Sequence, residues 1–203
     1  MKTIVVNKLV MFIENNSSSY SKTDLEKIKY GLEATYLTIV KAIIFMIVCF
    51  FLGLLKEFIF LTIIFSGIRL FAFGLHAPNS FVCLILSGFV FIFASYLSTF
   101  MIIETPIKII FFVICIILLL LYAPADTHKR PLIHKKKRRI YKILSFFVSI
   151  VYCFISLVTK NNFLSNCLLF SVIIEILLIM PISYKLLNLP YNNYKKYKRG
   201  NRE

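Results

Sequence analysis

Charge of one sign is scarce in this chain. Nine Asp and Glu stand against 24 Lys and Arg, and only three histidines occur in 203 residues. A Ser-His-Asp arrangement needs an acid near its histidine, and His76 has none close by in sequence. A metal site needs a third nitrogen, sulfur or carboxylate ligand; His76 has none nearby, and His128 and His134 sit together in a different loop. No metal and no cofactor is therefore expected. No glycine-rich phosphate loop, internal repeat or strand-like alternation occurs, which removes nucleotide binding, solenoid and β-barrel readings. Five cysteines, an odd number scattered through apolar runs, do not make a disulfide framework. The opening Met1–Lys8 is too polar and short for the apolar region of a signal peptide, so an uncleaved N-terminus is expected.

What is abundant is apolar sequence: 59% of residues, with a mean hydropathy of +0.83. A soluble domain averages roughly 45–50% apolar residues, and uncharged stretches of about 18 residues read as membrane spans. The expected class is an all-α integral membrane protein. Six transmembrane helices are predicted at about Tyr36–Leu55, Phe58–Leu75, Ser80–Phe100, Ile107–Ala123, Tyr141–Val158 and Phe163–Ser183. Ahead of them, Ile4, Val5, Leu9, Phe12 and Ile13 fall on one side of a helix, the pattern of an interfacial amphipathic segment. Thr23-Asp-Leu-Glu26 has capping-box form and starts a helix that runs into the first span. Residues 1–35 thus read as N-terminal amphipathic and cytoplasmic helices, 36–184 as a six-span membrane domain, and 185–203 as a basic cytoplasmic tail.

Positive charge sets the orientation. With the N-terminus inside, one side collects 20 of the 24 Lys and Arg. Five precede the first span, Arg69 lies at the inner part of the second, eight run from Lys129 to Lys142, and six from Lys185 to Arg202. Only Lys56, Lys108 and Lys160 fall opposite. Both termini are then cytoplasmic, and thiols on that side stay reduced. The net charge of +15 could speak for nucleic acid, but the basic runs flank spans; anionic membrane lipid is the expected partner and nucleic acid is not. A sharper role for His134–Arg139, with Lys135, Lys136 and Lys137 at its centre, is gripping an acidic peptide tail.

The chemistry-bearing residues are His76 and Cys83. A cysteine becomes a nucleophile when something draws off its proton, and imidazole is the usual agent. Cys49, Cys115, Cys153 and Cys167 sit in apolar runs without a histidine and read as small hydrophobes. Seven residues apart on an unbroken helix, His76 and Cys83 would stand about 10 Å apart along the axis. Gly74 and Pro78 break the helix: proline biases Ala77 away from helical backbone, so the second span ends near His76. Asn79 or Ser80 can cap the next helix, which puts Cys83 in its first turn, where the positive helix end favours a thiolate. Asn79 and Ser87 are candidates to orient His76, and backbone N–H groups from Ser80 to Cys83 are candidates for an oxyanion site. Inside the spans, Arg69 and Glu175 lie at matching depth and are expected to pair.

These residues together resemble the accessory gene regulator B (AgrB) family of membrane peptidases. The core of the likeness is Arg69, Gly74, His76-Ala77 and Cys83. Glu26-Lys-Ile-Lys-Tyr-Gly-Leu-Glu33 and Tyr122-Ala-Pro-Ala-Asp-Thr-His-Lys-Arg-Pro131 extend it to about residues 20–185. One departure is visible: the family has paired glycines before the histidine, and Phe73 replaces the first. The resemblance implies a cell-membrane cysteine endopeptidase of a Gram-positive bacterium with its active site on the cytoplasmic side. It implies an AgrD-like propeptide as substrate, His76 as general base and Cys83 as nucleophile, with Arg69, Gly74 and Glu175 in support. Cleavage would pass through a Cys83 thioester, and a side chain of the propeptide would close a thiolactone or lactone ring for quorum sensing. A homodimer is left open. The competing reading from another class is a peptide transporter or exporter that moves its cargo uncut; a non-enzymatic scaffold is a third. Neither has a chemical need for Cys83.

Overall fold

The computed structural model describes residues 2–16, 20–75, 79–127 and 132–195. His76 and Pro78, on which the sequence places the helix break and its base, lie outside the described residues. The described chain is helical, with an isolated parallel bridge between Phe73 and Ala125. It divides into a unit of residues 1–51 and a unit of residues 52–203.

The first unit is α1 (Lys2–Asn16) packed on α2 (Lys22–Phe51). Ile4, Val5, Leu9 and Phe12 of α1 are exposed, as an interfacial helix requires, while Val6 is buried. α2 starts at Lys22, one residue before the expected capping box. The residues that form the box are Ser21 and Asp24: Ser21 Oγ donates to Asp24 Oδ2 at 2.7 Å and accepts from the Asp24 amide at 3.3 Å. α2 is then continuous for 30 residues, so the first span extends an amphiphilic stalk without a break.

The second unit holds α3 (Leu55–Ala72), α4 (Ser80–Phe100), α5 (Thr105–Tyr122), α6 (Lys135–Val158), α7 (Asn162–Ile179) and the short α8 (Pro181–Leu186). α7 is its centre and packs against α3, α4, α5 and α6. Eleven of its 18 residues are buried, from Ser165 to Ile179, so it carries the core rather than a face of it. The sixth predicted span ends earlier than expected, at Ile179. Pro181 holds Met180 at φ −65°, ψ 139°, which stops the helix and redirects the chain into α8.

Five described helices are long and apolar enough to cross a membrane: α2, α4, α5, α6 and α7. α3 is the exception, because Lys56, Glu57 and Arg69 lie within its 18 residues. Large apolar residues fill the core and also cover the outside, as for helices in lipid, while small and polar residues line part of the helix contacts. Ser145, Ser149 and Ser156 of α6 are buried, whereas Phe147, Ile150 and Phe154 of the same helix face outward. Without water between helices, close approach and hydrogen bonds hold them together. Gly67 shows how close: a Cβ there would run into the hydroxyl of Tyr152, which itself donates to Ile64 O at 2.6 Å and joins α6 to α3.

Two charges are placed differently from expectation. Lys108, read as an interfacial cation at the fourth span, is only 5% exposed in the first turn of α5, and its Nζ donates to Ser165 Oγ at 2.6 Å. Ser156 joins the same cluster, its hydroxyl donating to Ser165 O at 3.0 Å. The basic cluster Lys135–Arg139 is not a loop but the opening of α6. Cations there oppose the helix dipole at a cost of about 0.3–1 kcal/mol each when exposed, so local helix stability does not explain them.

Candidate active site

One end of the second unit gathers the exit of α3, the start of α4, the α5–α6 connection, the start of α6 and the end of α7. α3 ends at Ala72 because the next two residues enter the left-handed region, Phe73 at φ 60° and Gly74 at φ 111°. Those are the positions where paired glycines are expected. Only Gly74 is sterically compelled, since a Cβ there would lie 2.9 Å from Leu178 O and 3.3 Å from Arg69 Cζ. Phe73, at φ 60° and ψ −126°, lies outside the left-handed helical well in backbone that glycine favours, and its ring packs edge-on against Tyr141 of α6 at 5.0 Å between centroids.

The exit segment is held from three directions. Its backbone bonds to the α5–α6 loop, Gly74 N to Ala125 O and Ala125 N to Ala72 O, both at 3.0 Å. Leu75 N donates to Leu178 O of α7 at 3.0 Å. The third hold is Arg69, which turns back on its own helix end. Its guanidinium donates to Phe73 O, to Gly74 O at 3.3 Å and to Leu75 O at 2.9 Å. The same group reaches Glu175 Oε1 of α7 at 3.4 Å, so the expected Arg69–Glu175 pair is formed. Glu175 is fully buried, and its Oε2 has no hydrogen-bond partner among the described residues. Arg69 is thus a carbonyl clamp as well as half of an ion pair, a role its spacing alone did not reveal.

α4 begins where the sequence indicated. Asn79 is the N-cap, in extended backbone at φ −110°, ψ 134°, and its side-chain oxygen accepts from Phe81 N at 2.9 Å. Cys83 is half-buried and lies at the end of the first turn, its amide donating to Asn79 O at 2.9 Å. The amides of Phe81 and Cys83 are thereby engaged, which narrows the stretch from Ser80 to Cys83 as an oxyanion site. Both candidates for orienting a histidine are engaged too. Asn79 is spent on its cap, and Ser87 donates to Cys83 O and to Leu84 O at 3.4 Å within its own helix.

Lys135, Lys136 and Lys137 are exposed at the start of α6, and Arg138 is half-buried with its guanidinium carbon 3.3 Å from the Tyr194 ring centroid. Asp126 was not singled out from the sequence. It is 4% exposed and accepts from Asn193 N at 3.0 Å, Tyr194 N at 2.8 Å and Leu132 N at 3.4 Å. Its signal was an isolated acid in the apolar run Ala123-Pro-Ala125, in a chain with few acids to place.

Comparison with known proteins gives the family of the chain. The profile described as Accessory gene regulator B matches residues 6–179. A protein described as AgrB-like from Clostridium acetobutylicum is 33% identical over 201 residues, covering 98% of this chain and 96% of its own. Others so described, from Listeria welshimeri and Clostridium beijerinckii, are 29% and 28% identical, covering 84% and 86% of each chain respectively. No solved structure matches. The chain belongs to the accessory gene regulator B family.

Proposed function

We propose that the protein is a membrane-embedded cysteine endopeptidase that removes the C-terminal tail of an AgrD-like propeptide and closes its thiolactone or lactone ring. Family membership supports a role in quorum-sensing peptide processing. The observation that carries the finer reading is the construction around residues 75–79. Leu75 is pinned to α7, and Asn79 caps the helix that presents Cys83 from its first turn. His76 follows Leu75 directly in the sequence and precedes Asn79 by three residues.

His76 takes the proton of the Cys83 thiol. The thiolate attacks the carbonyl carbon at the junction of segment and tail, and the C–N bond breaks as the imidazolium returns its proton to the leaving amine. The segment remains on Cys83 as a thioester. A cysteine thiol of the propeptide then attacks that thioester, forms the ring and frees Cys83. Thioester exchange is nearly balanced in energy, so ring closure competes with hydrolysis where water is kept out. Arg69 and Glu175 hold the α3 exit, and Gly74 gives it room. The basic start of α6 faces the cytoplasm with both termini in this reading, in six spans that include α3. There Lys135, Lys136 and Lys137 meet an acidic substrate tail and anionic lipid.

In reconstituted vesicles, Cys83→Ser is expected to abolish propeptide cleavage with normal membrane insertion, and His76→Ala to fail equally because the two act as a unit. Undiminished cleavage by Cys83→Ser refutes Cys83 as the nucleophile, whereas peptide that crosses the vesicle membrane uncut with the wild-type protein favours a transporter.

A further inference from the structure

We infer that Asp126 is a positioning residue of this active site: it ties the chain's own C-terminal segment to the loop that shapes the exit of α3, so that residues 191–195 help set the geometry of residues 72–75, which lead into His76 in the sequence. The inference rests on the peptidase reading for its effect on turnover, and on the hydrogen-bond network alone for the mechanical link.

The link runs through named atoms. Asp126 Oδ1 accepts from the amide of Asn193 and Oδ2 from that of Tyr194, at 3.0 and 2.8 Å. Its backbone carbonyl accepts from Tyr184 Oη at 3.1 Å. Burial holds the Tyr184 phenol well above its ordinary range, so it stays a donor through neutral pH. The segment folds back over the loop through left-handed backbone at Asn188 and Asn192, φ 51° and 55°, residues that tolerate it. Tyr194 is clasped from the other side by the Arg138 guanidinium, and Tyr191 packs edge-on against Tyr184 at 5.0 Å. One residue before Asp126, Ala125 makes both hydrogen bonds to the α3 exit, to Ala72 O and from Gly74 N. A buried carboxylate that accepts three amides is costly to leave half satisfied, so loop and segment hold or loosen together. The loop templates residues 72–75, and the catalytic histidine follows one residue later.

Another buried polar cluster, Lys108 with Ser156 and Ser165, stands at the opposite end of the unit and joins α5, α6 and α7.

The test uses the full-length protein in detergent and in vesicles, with Asp126→Asn and Tyr194→Ala as independent variants. Asp126→Asn turns an acceptor into a donor facing an amide, while Tyr194→Ala removes only the Arg138 clasp. Hydrogen exchange at the amides of Gly74, Leu75 and Ala125 is expected to quicken in both, more in Asp126→Asn, with the middle of α7 unchanged. Propeptide turnover should fall about 10- to 100-fold in kcat for Asp126→Asn, the scale of a misplacement near 1 Å, with KM within about twofold. Asp126→Glu, which keeps the carboxylate, should recover part of the loss. Unchanged exchange at the three amides overturns the link whatever the activity. Quickened exchange with unchanged kcat overturns the positioning role. A wild-type protein without cleavage sinks the peptidase reading instead and leaves the exchange result to decide the link.

Discussion

Arg69 and Glu175 form one ion pair, yet they should not be equivalent to mutation. Arg69→Gln leaves a fully buried carboxylate without its cation, a loss of about 3–5 kcal/mol for a broken buried pair. It also removes the donor from three carbonyls, Phe73 O, Gly74 O and Leu75 O, at about 1–3 kcal/mol for each that stays dry. The Arg69 side chain is 19% exposed, so water can reach some of them and the sum is an upper bound. A destabilisation of at least about 4 kcal/mol follows, roughly three decades in the unfolding constant. Glu175→Gln keeps the shape and an accepting oxygen, and Arg69 retains its three carbonyls. About 1–2 kcal/mol is expected there. The double variant should be more stable than Arg69→Gln alone, because its second change removes the stranded charge. Pulse proteolysis across an SDS titration in mixed micelles measures all three. Equal losses in the two single variants, or a double variant that simply adds them, would refute the clamp.

Three further outcomes follow from the geometry. Gly67→Ala should destabilise by about 1–3 kcal/mol through its collision with the Tyr152 hydroxyl, yet be close to neutral in a Tyr152→Phe background, where the nearest remaining ring atom lies 3.6 Å away; the same titration reads it. Gly74→Ala should cost at least about 2 kcal/mol and cleavage with it, since both the φ of 111° and the 2.9 Å approach of Leu178 O forbid a Cβ; retention of wild-type cleavage would contradict the turn. Neutralising Lys135, Lys136 and Lys137 together should raise KM for propeptide roughly 5- to 100-fold, with high salt mimicking it on the unmodified enzyme. Because the change also removes cations from a helix N-terminus, α6 should become more stable, not less, which separates binding from folding.

Much of this was legible in the sequence where local chemistry decides it. Asn79 before an uncharged run announces a capped helix, and α4 spans Ser80–Phe100 as read. Arg69 and Glu175 were readable as a pair from their matching depth, because ionisable groups inside spans pair or face a cavity; the three carbonyls that Arg69 also holds were not. The stop after Ile179 was readable at Pro181, but apolar residues on both sides of it imitate one continuous span. Long-range contacts hid the rest. Lys135–Arg139 reads as a loop on charge, and its helicity comes from continuity with the apolar face of α6. Asp126 is explained by amides 67 and 68 residues away, and Lys108 by a serine 57 residues on, pairings that no local pattern encodes.

The most direct test is to trap the intermediate. Wild-type protein mixed with a propeptide whose internal cysteine is replaced by alanine cannot close the ring, so the segment should remain on the enzyme long enough for acid quench and intact mass spectrometry. The account predicts an added mass equal to the propeptide without its C-terminal tail, located on the peptide containing Cys83, released by hydroxylamine and missing in His76→Ala. Tail release with no adduct at Cys83, or an adduct on any of the other four cysteines, would contradict it.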